Sequence, residues 1–282
     1  MVNIRLFGCF IICIALIGAS SAFSDETVPM SIVRNVEKFP VPAGSKETLE
    51  FPVKRGKREI YMWSGTFNKT ENSDIIDFLE SESISSVLLS FSQSLHKEKT
   101  LDFMSRAKRK QINIVFMKSK KEWLSKDRRK AILQEISELE KYSPAGLHLD
   151  IEPHLFDNWR ENNYAILDEY IKMLHYIRKN YQGELSVSIP VMYPDRILQD
   201  IYKIADKVYI MAYGRTNMKK LTEKVKEELG YGIQKSVIGV SCRDFENEHD
   251  FENYIEKILS SVSTDKIVIH DFKQYLELVQ DK

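Results

Sequence analysis

Hydrophobic residues occur in two kinds of segment that alternate along most of the chain. Short apolar runs are typical of buried strands, and longer stretches with apolar residues every three or four positions are typical of helices. Strands are predicted at residues 59–64, 86–91, 112–117, 146–153, 185–191, 208–213, 237–241 and 266–270. Helices are predicted at residues 73–79, 101–110, 128–142, 164–181, 197–205, 218–229, 250–260 and 272–279.

These segments form eight strand–helix units in strict alternation. Such alternation makes the strands parallel, and eight units are the number that closes into a barrel. An open doubly wound sheet is the alternative, but no Gly-rich phosphate-binding turn follows the first strand. The chain of 282 residues suits one barrel, which needs about 250. The prediction is therefore an α/β protein with a single (β/α)8 TIM barrel at residues 58–282.

The first 57 residues do not follow this alternation. Arg5 precedes an apolar run at residues 6–18, and a Ser-Ser-Ala sequence ends at Ala22. This order predicts a secretory signal peptide at residues 1–22, because a membrane-spanning helix needs about 20 apolar residues. Residues 23–57, rich in proline and charge, are predicted to form an extended arm. The protein is therefore expected to be secreted or periplasmic, without stable membrane insertion after cleavage.

Charge and cysteine content narrow the possible partners and sites. The chain has 41 basic and 41 acidic residues, a balance that does not favour nucleic acid as a partner. Cys9 and Cys13 belong to the predicted signal peptide, so only Cys242 remains in the mature chain. A single cysteine forms no internal disulfide and no cysteine-based zinc cluster. Cys242 follows an apolar run, where a buried inert thiol is expected and a nucleophile is the alternative.

The predicted fourth strand has an unusual pattern of polar residues. His148, Asp150 and Glu152 alternate with aliphatic residues, so they share one face of a strand. Carboxylates are rarely hidden unless they are paired or used. Active sites of TIM barrels lie at the carboxyl ends of the strands, which places Glu152 at the mouth and Asp150 and His148 deeper. Adjacent carboxylates raise the pKa of one of them, which gives the protonated acid that glycoside cleavage requires.

The predicted sixth strand carries a second polar pattern. Tyr209, Met211 and Tyr213 share one face of this strand. Tyrosines inside a barrel need hydrogen-bond partners. Tyr213, at the strand end, is placed to donate a hydrogen bond to a reacting group.

Together the two strands resemble glycoside hydrolase family 18, the chitinases and their relatives. The last two acids of its Asp-x-x-Asp-x-Asp-x-Glu pattern fall on Asp150 and Glu152, and its Met-x-Tyr-Asp pattern falls on Met211 and Tyr213. The resemblance implies Glu152 as general acid and Asp150 as the residue that orients the substrate N-acetyl group, whose carbonyl oxygen is the nucleophile. It implies that Tyr213 hydrogen-bonds the same group. The implied activity is retaining hydrolysis of an N-acetylated amino-sugar polysaccharide, with no cofactor and no metal.

The sequence departs from the family pattern at four positions. It has Ala145, His148, Gly214 and His270 where the family has two acids, the Asp after the tyrosine and usually a tryptophan. His148 could still hydrogen-bond Asp150, and it would then favour the ionised form of this carboxyl group. These changes support a second hypothesis, a carbohydrate-binding barrel that has lost turnover.

Two further enzyme hypotheses use the same strand. A clan A glycosidase would have Asn-Glu before Pro153 and a second Glu at the end of strand seven, which instead ends in Ser-Cys-Arg-Asp. A metal-dependent hydrolase would use His148, Asp150 and Asp271, but no other histidine has the spacing of a ligand. The glycosidase related to family 18 is therefore favoured.

The remaining candidates flank the predicted cleft and complete, with His148 and Met211, the expected substrate-binding set. Trp63 could stack on a sugar or close the core, and Tyr193 could line the cleft or pack inside. Asp271 could bind substrate or cap the last helix. His154 is expected at the surface, and so are the basic segments within residues 118–130, which could also bind an acidic glycan.

Overall fold

The computed structural model describes residues 58–213 and 218–280, which contain a closed barrel of eight parallel strands. The strands are β1 (Arg58–Met62), β2 (Ile84–Ser90), β3 (Asn113–Lys118), β4 (Gly146–Leu149), β5 (Glu184–Pro190), β6 (Lys207–Met211), β7 (Ser236–Ser241) and β8 (Ile267–His270). Their order follows the chain, and β8 pairs with β1, with Ile60 opposite Ile269. The predicted (β/α)8 TIM barrel is confirmed.

Helices connect successive strands and cover the outside of the barrel. They are α1 (Ser64–Lys69), α2 (Asn72–Ser81), α3 (Lys97–Arg109), α4 (Arg129–Glu140), α5 (Trp159–Asn180), α6 (Asp195–Ile204), α7 (Met218–Leu229), α8 (Glu248–Val262) and α9 (Phe272–Gln280). None of the helices in the two described ranges is long and apolar enough to cross a membrane. The predicted signal peptide, the predicted arm and Gly214 lie outside the described residues.

Most predicted elements are present, and three differences bear on the site. Helix α1 was not predicted, because Phe67 is its single buried residue and six residues carry no helical periodicity. Strand β4 ends at Leu149 rather than at 153, because Pro153 has no N–H for the sheet and begins a short 3₁₀ turn. Strand β6 ends at Met211, two residues before its predicted end.

The core has two layers on either side of the strands. Alternate strand residues point outward and pack under the helices, while the others fill the barrel, as the period of two requires. The apolar inner layer consists of Tyr61, Leu88, Val115, Met117, Tyr209, Val237 and Val268. His148, Ser186 and Ser188 are also fully or almost fully buried, so the interior beneath β4 and β5 is polar.

The deeper polar groups of the barrel neutralise one another at its amino-terminal end. The Tyr209 hydroxyl donates to Glu59 Oε2 at 2.5 Å, and Lys207 Nζ lies 3.3 Å from Glu59 Oε1. Lys207 also contacts Glu184 at 3.4 Å. These contacts pair the polar side chains at the lower end of the barrel with one another.

Candidate active site

Asp150 and Glu152 stand at the carboxyl end of β4. The Asp150 amide donates to the Lys118 carbonyl at 2.9 Å, which continues the β3–β4 ladder one residue past the strand. Glu152 then precedes the 3₁₀ turn Pro153–Leu155, and its carbonyl accepts from the Leu155 amide at 3.0 Å. The Glu152 side chain is 31% exposed, so it is open to solvent at the mouth.

Both carboxyl groups hold their protons more tightly than usual. Burial raises the pKa of Asp150, although the Ser188 hydroxyl and the His270 ring act in the opposite direction. Burial, followed by repulsion from Asp150, raises the pKa of Glu152 to about 7. Glu152 can therefore keep a proton near neutral pH.

Tyr213 completes this group from the end of β6. Burial raises the pKa of its hydroxyl, and the charges of Asp150 and Glu152 raise it further, so the phenol stays protonated as a donor. Its ring lies 5.5 Å from that of His270, which comes from β8. Sequence reasoning placed Asp271 in the site but not the preceding residue His270, which was noted only as a departure from the family pattern.

His148 lies below the carboxyl groups and has no exposed surface. Its Nδ1 contacts Ser186 Oγ at 3.0 Å and its Nε2 contacts Ser188 Oγ at 2.9 Å. The Tyr61 hydroxyl contacts the same serine at 3.0 Å. Ser188, which also hydrogen-bonds Asp150, therefore stands between His148 and Asp150 in place of the direct hydrogen bond that the sequence allowed. Burial lowers the pKa of His148 to about 3, so the ring is neutral and does not favour an ionised Asp150.

The buried neutral ring makes stability depend on acidity. Unfolded His148 binds a proton near its ordinary pKa of 6.5, and the folded residue does so only near 3, so stability is lost as pH falls between these values. His148→Gln, which cannot titrate, is expected to flatten this loss by about 1.4 kcal/mol per pH unit. Urea unfolding of both proteins between pH 7 and 4 measures the difference. Equal slopes would contradict it.

Trp63 and Asp271 meet where β1 and β8 end. Trp63 Nε1 donates to Asp271 Oδ2 at 3.2 Å, and the Trp63 ring lies 6.0 Å from that of His270. Asp271 Oδ1 accepts from the Gln274 amide at 3.2 Å, which caps α9. The His270–Asp271 peptide bond is cis. Asp271 is 3% exposed, so the structure supports the helix-cap alternative, while Trp63 remains partly exposed.

The loops after β4 and β5 form a second wall beside Glu152. His154 Nε2 lies 3.6 Å from Glu152 Oε1, so this histidine belongs to the site rather than to the open surface. Its ring packs 6.5 Å from Trp159 and 6.4 Å from Tyr193. Tyr193 is 5% exposed, and Met211 is partly exposed at the end of β6. Sequence reasoning missed Trp159, which starts α5 five residues before its predicted start.

Cys242 is a free buried thiol, as predicted. Its Sγ lies 3.6 Å from the His270 carbonyl, and burial raises its pKa to about 12. We therefore expect the native protein to react with a thiol-specific disulfide reagent at neutral pH at least about 10²-fold more slowly than the unfolded chain. A native rate close to that of the unfolded chain would show that the thiol is accessible.

Metal ligation finds no support in the part of the chain that the structure describes. There, no three His, Cys, Asp or Glu side chains are grouped so that they could hold an ion. His148 has its nitrogens engaged by serines, and Asp271 caps a helix. The proposed ligand set of His148, Asp150 and Asp271 is therefore not assembled.

Comparisons with known proteins support the fold and not a family. No protein-family model matches the sequence, and no curated protein is significantly similar to it. An endo-β-N-acetylglucosaminidase from Cordyceps militaris is similar in structure, with a TM-score of 0.54 and 12% identity over 80% of this chain and 85% of that one. The tryptophan synthase complex of Pyrococcus furiosus is similar with a TM-score of 0.51 and 11% sequence identity, over 77% of this chain and 87% of that one. The α subunit of tryptophan synthase from Campylobacter jejuni is similar with a TM-score of 0.50 and 11% sequence identity, over 77% of this chain and 87% of that one. Similarity at this level demonstrates the barrel alone.

Proposed function

We propose that the protein is an exported glycoside hydrolase that acts on an N-acetylated amino-sugar polysaccharide. The observation that carries the proposal is the pair Asp150 and Glu152 at the carboxyl end of β4, with the pKa of Glu152 raised to about 7. A carboxyl group that is protonated near neutral pH, beside a second carboxyl group, is what acid-assisted glycoside cleavage needs. The motif resemblance and the predicted signal peptide supply the substrate class and the location.

The proposed reaction uses three side chains. Glu152 donates its proton to the glycosidic oxygen as the bond to the leaving group breaks, and the substrate's N-acetyl carbonyl oxygen bonds to the anomeric carbon. Asp150 orients the N-acetyl group and stabilises the positive charge that forms on it, and Tyr213 donates a hydrogen bond to the same group. Ionised Glu152 then takes a proton from the water that attacks the anomeric carbon, and the bond between this carbon and the acetyl oxygen breaks. Two displacements at this carbon give overall retention.

A screen with the purified mature protein tests the proposal. The protein is incubated with a panel of N-acetylated glycans and with matched glycans that lack the acetyl group. Binding and released reducing ends are both measured. The proposal predicts product from the acetylated members only, because the acetyl oxygen is the nucleophile. Binding without product from any member would exclude it.

A carbohydrate-binding barrel without turnover is the second candidate. The observation that favours it is the neutral His148, which stands where the resembling family has an acid and contacts serines instead. Without that acid, Asp150 has no carboxyl group deeper in the barrel with which to share a proton. This candidate predicts saturable glycan binding, unchanged by Glu152→Gln, with no product at any pH between 4 and 8.

A further inference from the structure

We propose that His154 is a positioning residue that orients the carboxyl group of Glu152 through the contact between His154 Nε2 and Glu152 Oε1. The inference rests on the proposed role of Glu152 as an acid. Because Oε1 is the oxygen that lies towards His154, Oε2 is the oxygen that carries the proton towards the substrate. When Glu152 gives up this proton, His154 Nε2–H donates to the new carboxylate, and no proton passes between the two side chains.

The position of His154 is fixed by its surroundings. It lies in the 3₁₀ turn that Pro153 begins, and its side chain is 17% exposed. The rings of Trp159 and Tyr193 flank it at 6.5 and 6.4 Å, with interplanar angles of 78° and 72°. Edge-to-face packing on two sides restricts rotation of the imidazole. The Nε2 atom is therefore held towards Glu152.

The other ring nitrogen shows that the contact with Glu152 is the principal polar contact of His154. The Nδ1 atom is buried and has no hydrogen-bond partner among the residues that the structure describes. A buried polar atom without a partner carries a cost, so its position needs an explanation. Orientation of the ring towards Glu152 is such an explanation. The cost of leaving Nδ1 without a partner is offset by the hydrogen bond that Nε2–H donates to Glu152 when this carboxyl group is ionised.

The separation of 3.6 Å fits a group that acts during the reaction. It exceeds a normal N–H···O distance, so the two atoms lie close together without a hydrogen bond in the free protein. Catalytic hydrogen bonds are often long in the free enzyme and shorten in the complex. Hydrogen bonds to an ionised acceptor are shorter and stronger than those to a neutral one. The contact should therefore tighten when Glu152 becomes negative.

The titratable groups around the pair are consistent with a neutral donor. Asp150, Tyr213 and Tyr193 face Glu152 from β4, β6 and the loop after β5, and Asp150 raises the pKa of Glu152. Burial lowers the pKa of His154, which favours the neutral imidazole. A neutral N–H favours the carboxylate, so its loss raises the pKa of Glu152.

The experiment compares His154→Phe, which keeps ring volume but removes the donor, with His154→Gln, which keeps an N–H near the Nε2 position. The titration midpoint of Glu152 is followed by ¹³C NMR of labelled glutamate and identified with Glu152→Gln. His154→Phe should raise the midpoint by about one pH unit, and His154→Gln should leave it within about 0.3. Exposed His175, replaced by Phe on α5, is the matched control and should not move it.

Two further readouts complete the test. On a hydrolysed glycan, His154→Phe should lower kcat about tenfold with little change in KM and move the alkaline limb to higher pH. In the wild type, the ¹⁵N shift of His154 Nε2 should change with the midpoint of Glu152, and Glu152→Gln should remove this change. An unmoved midpoint in folded His154→Phe, or a ¹⁵N shift that ignores Glu152, overturns the proposal. Neither titration needs a substrate. If the protein showed no hydrolase activity, the proposed function would be refuted, and the two titrations would still show whether His154 orients Glu152.

Discussion

Glu152→Gln is expected to lower turnover of an N-acetylated glycan by about 10³-fold, because general acid catalysis contributes about 10²–10⁴-fold. Glutamine has nearly the same shape but cannot donate the proton that the leaving group needs. Binding should persist, since the Glu152 side chain is 31% exposed at the mouth of the barrel and the amide occupies the same space. Steady-state rates and calorimetric binding on one glycan measure both quantities.

Glu161→Gln is the matched control for this prediction. Glu161 is exposed in the first turn of α5, so its replacement should leave both turnover and binding unchanged. Turnover above about one tenth of the wild-type value in Glu152→Gln would show that another group supplies the proton. Loss of binding together with turnover would instead indicate that Glu152 holds the substrate in its ground state.

Asp150→Asn is expected to lower turnover by about 10²-fold or more and to shift its pH dependence. The first effect follows because an amide does not stabilise the positive charge that develops on the N-acetyl group. The second follows because repulsion from Asp150 is one cause of the raised pKa of Glu152, after burial. Activity requires protonated Glu152 and is lost as pH rises through its pKa. With the repulsion removed, the alkaline limb should move to lower pH.

Rate profiles between pH 4 and 9 measure this shift, and Asp157→Asn is the control, because Asp157 is exposed in the neighbouring loop. An alkaline limb at an unchanged pH would show that burial alone sets the pKa of Glu152. Full turnover in Asp150→Asn would remove Asp150 from the mechanism. A lower rate with an alkaline limb at the wild-type pH would show that Asp150 stabilises charge on the N-acetyl group but does not raise the pKa of Glu152.

The two variants also separate the enzyme from the binding barrel. For an enzyme, both substitutions reduce turnover while binding persists. For a barrel without turnover, neither substitution changes a rate, and Asp150→Asn acts on affinity alone. Substitution by the amide preserves the volume of each side chain, so a change in turnover or affinity reports the loss of the carboxyl group and not a change of shape.

The alternation of short apolar runs with amphipathic stretches was sufficient to predict the barrel. Each strand is buried on both faces, so its apolar run is visible in the sequence alone. The pattern around His148, Asp150 and Glu152 likewise predicted where two acids would meet the mouth of the barrel. The ends of β4 and β6 were predicted too late, because apolar residues continue past the last sheet hydrogen bond.

What the sequence by itself determined is the order of the elements, the two acids that follow β4 and the tyrosine Tyr213 that follows β6. The tertiary structure alone placed His270 against Tyr213 and His154 against Glu152, because these contacts depend on how strand ends and loops come together around a closed sheet. It also decided the charge states. The pKa of Glu152 and that of His148 depend first on burial. Burial is a property of the folded chain and cannot be deduced from the residues adjacent in sequence.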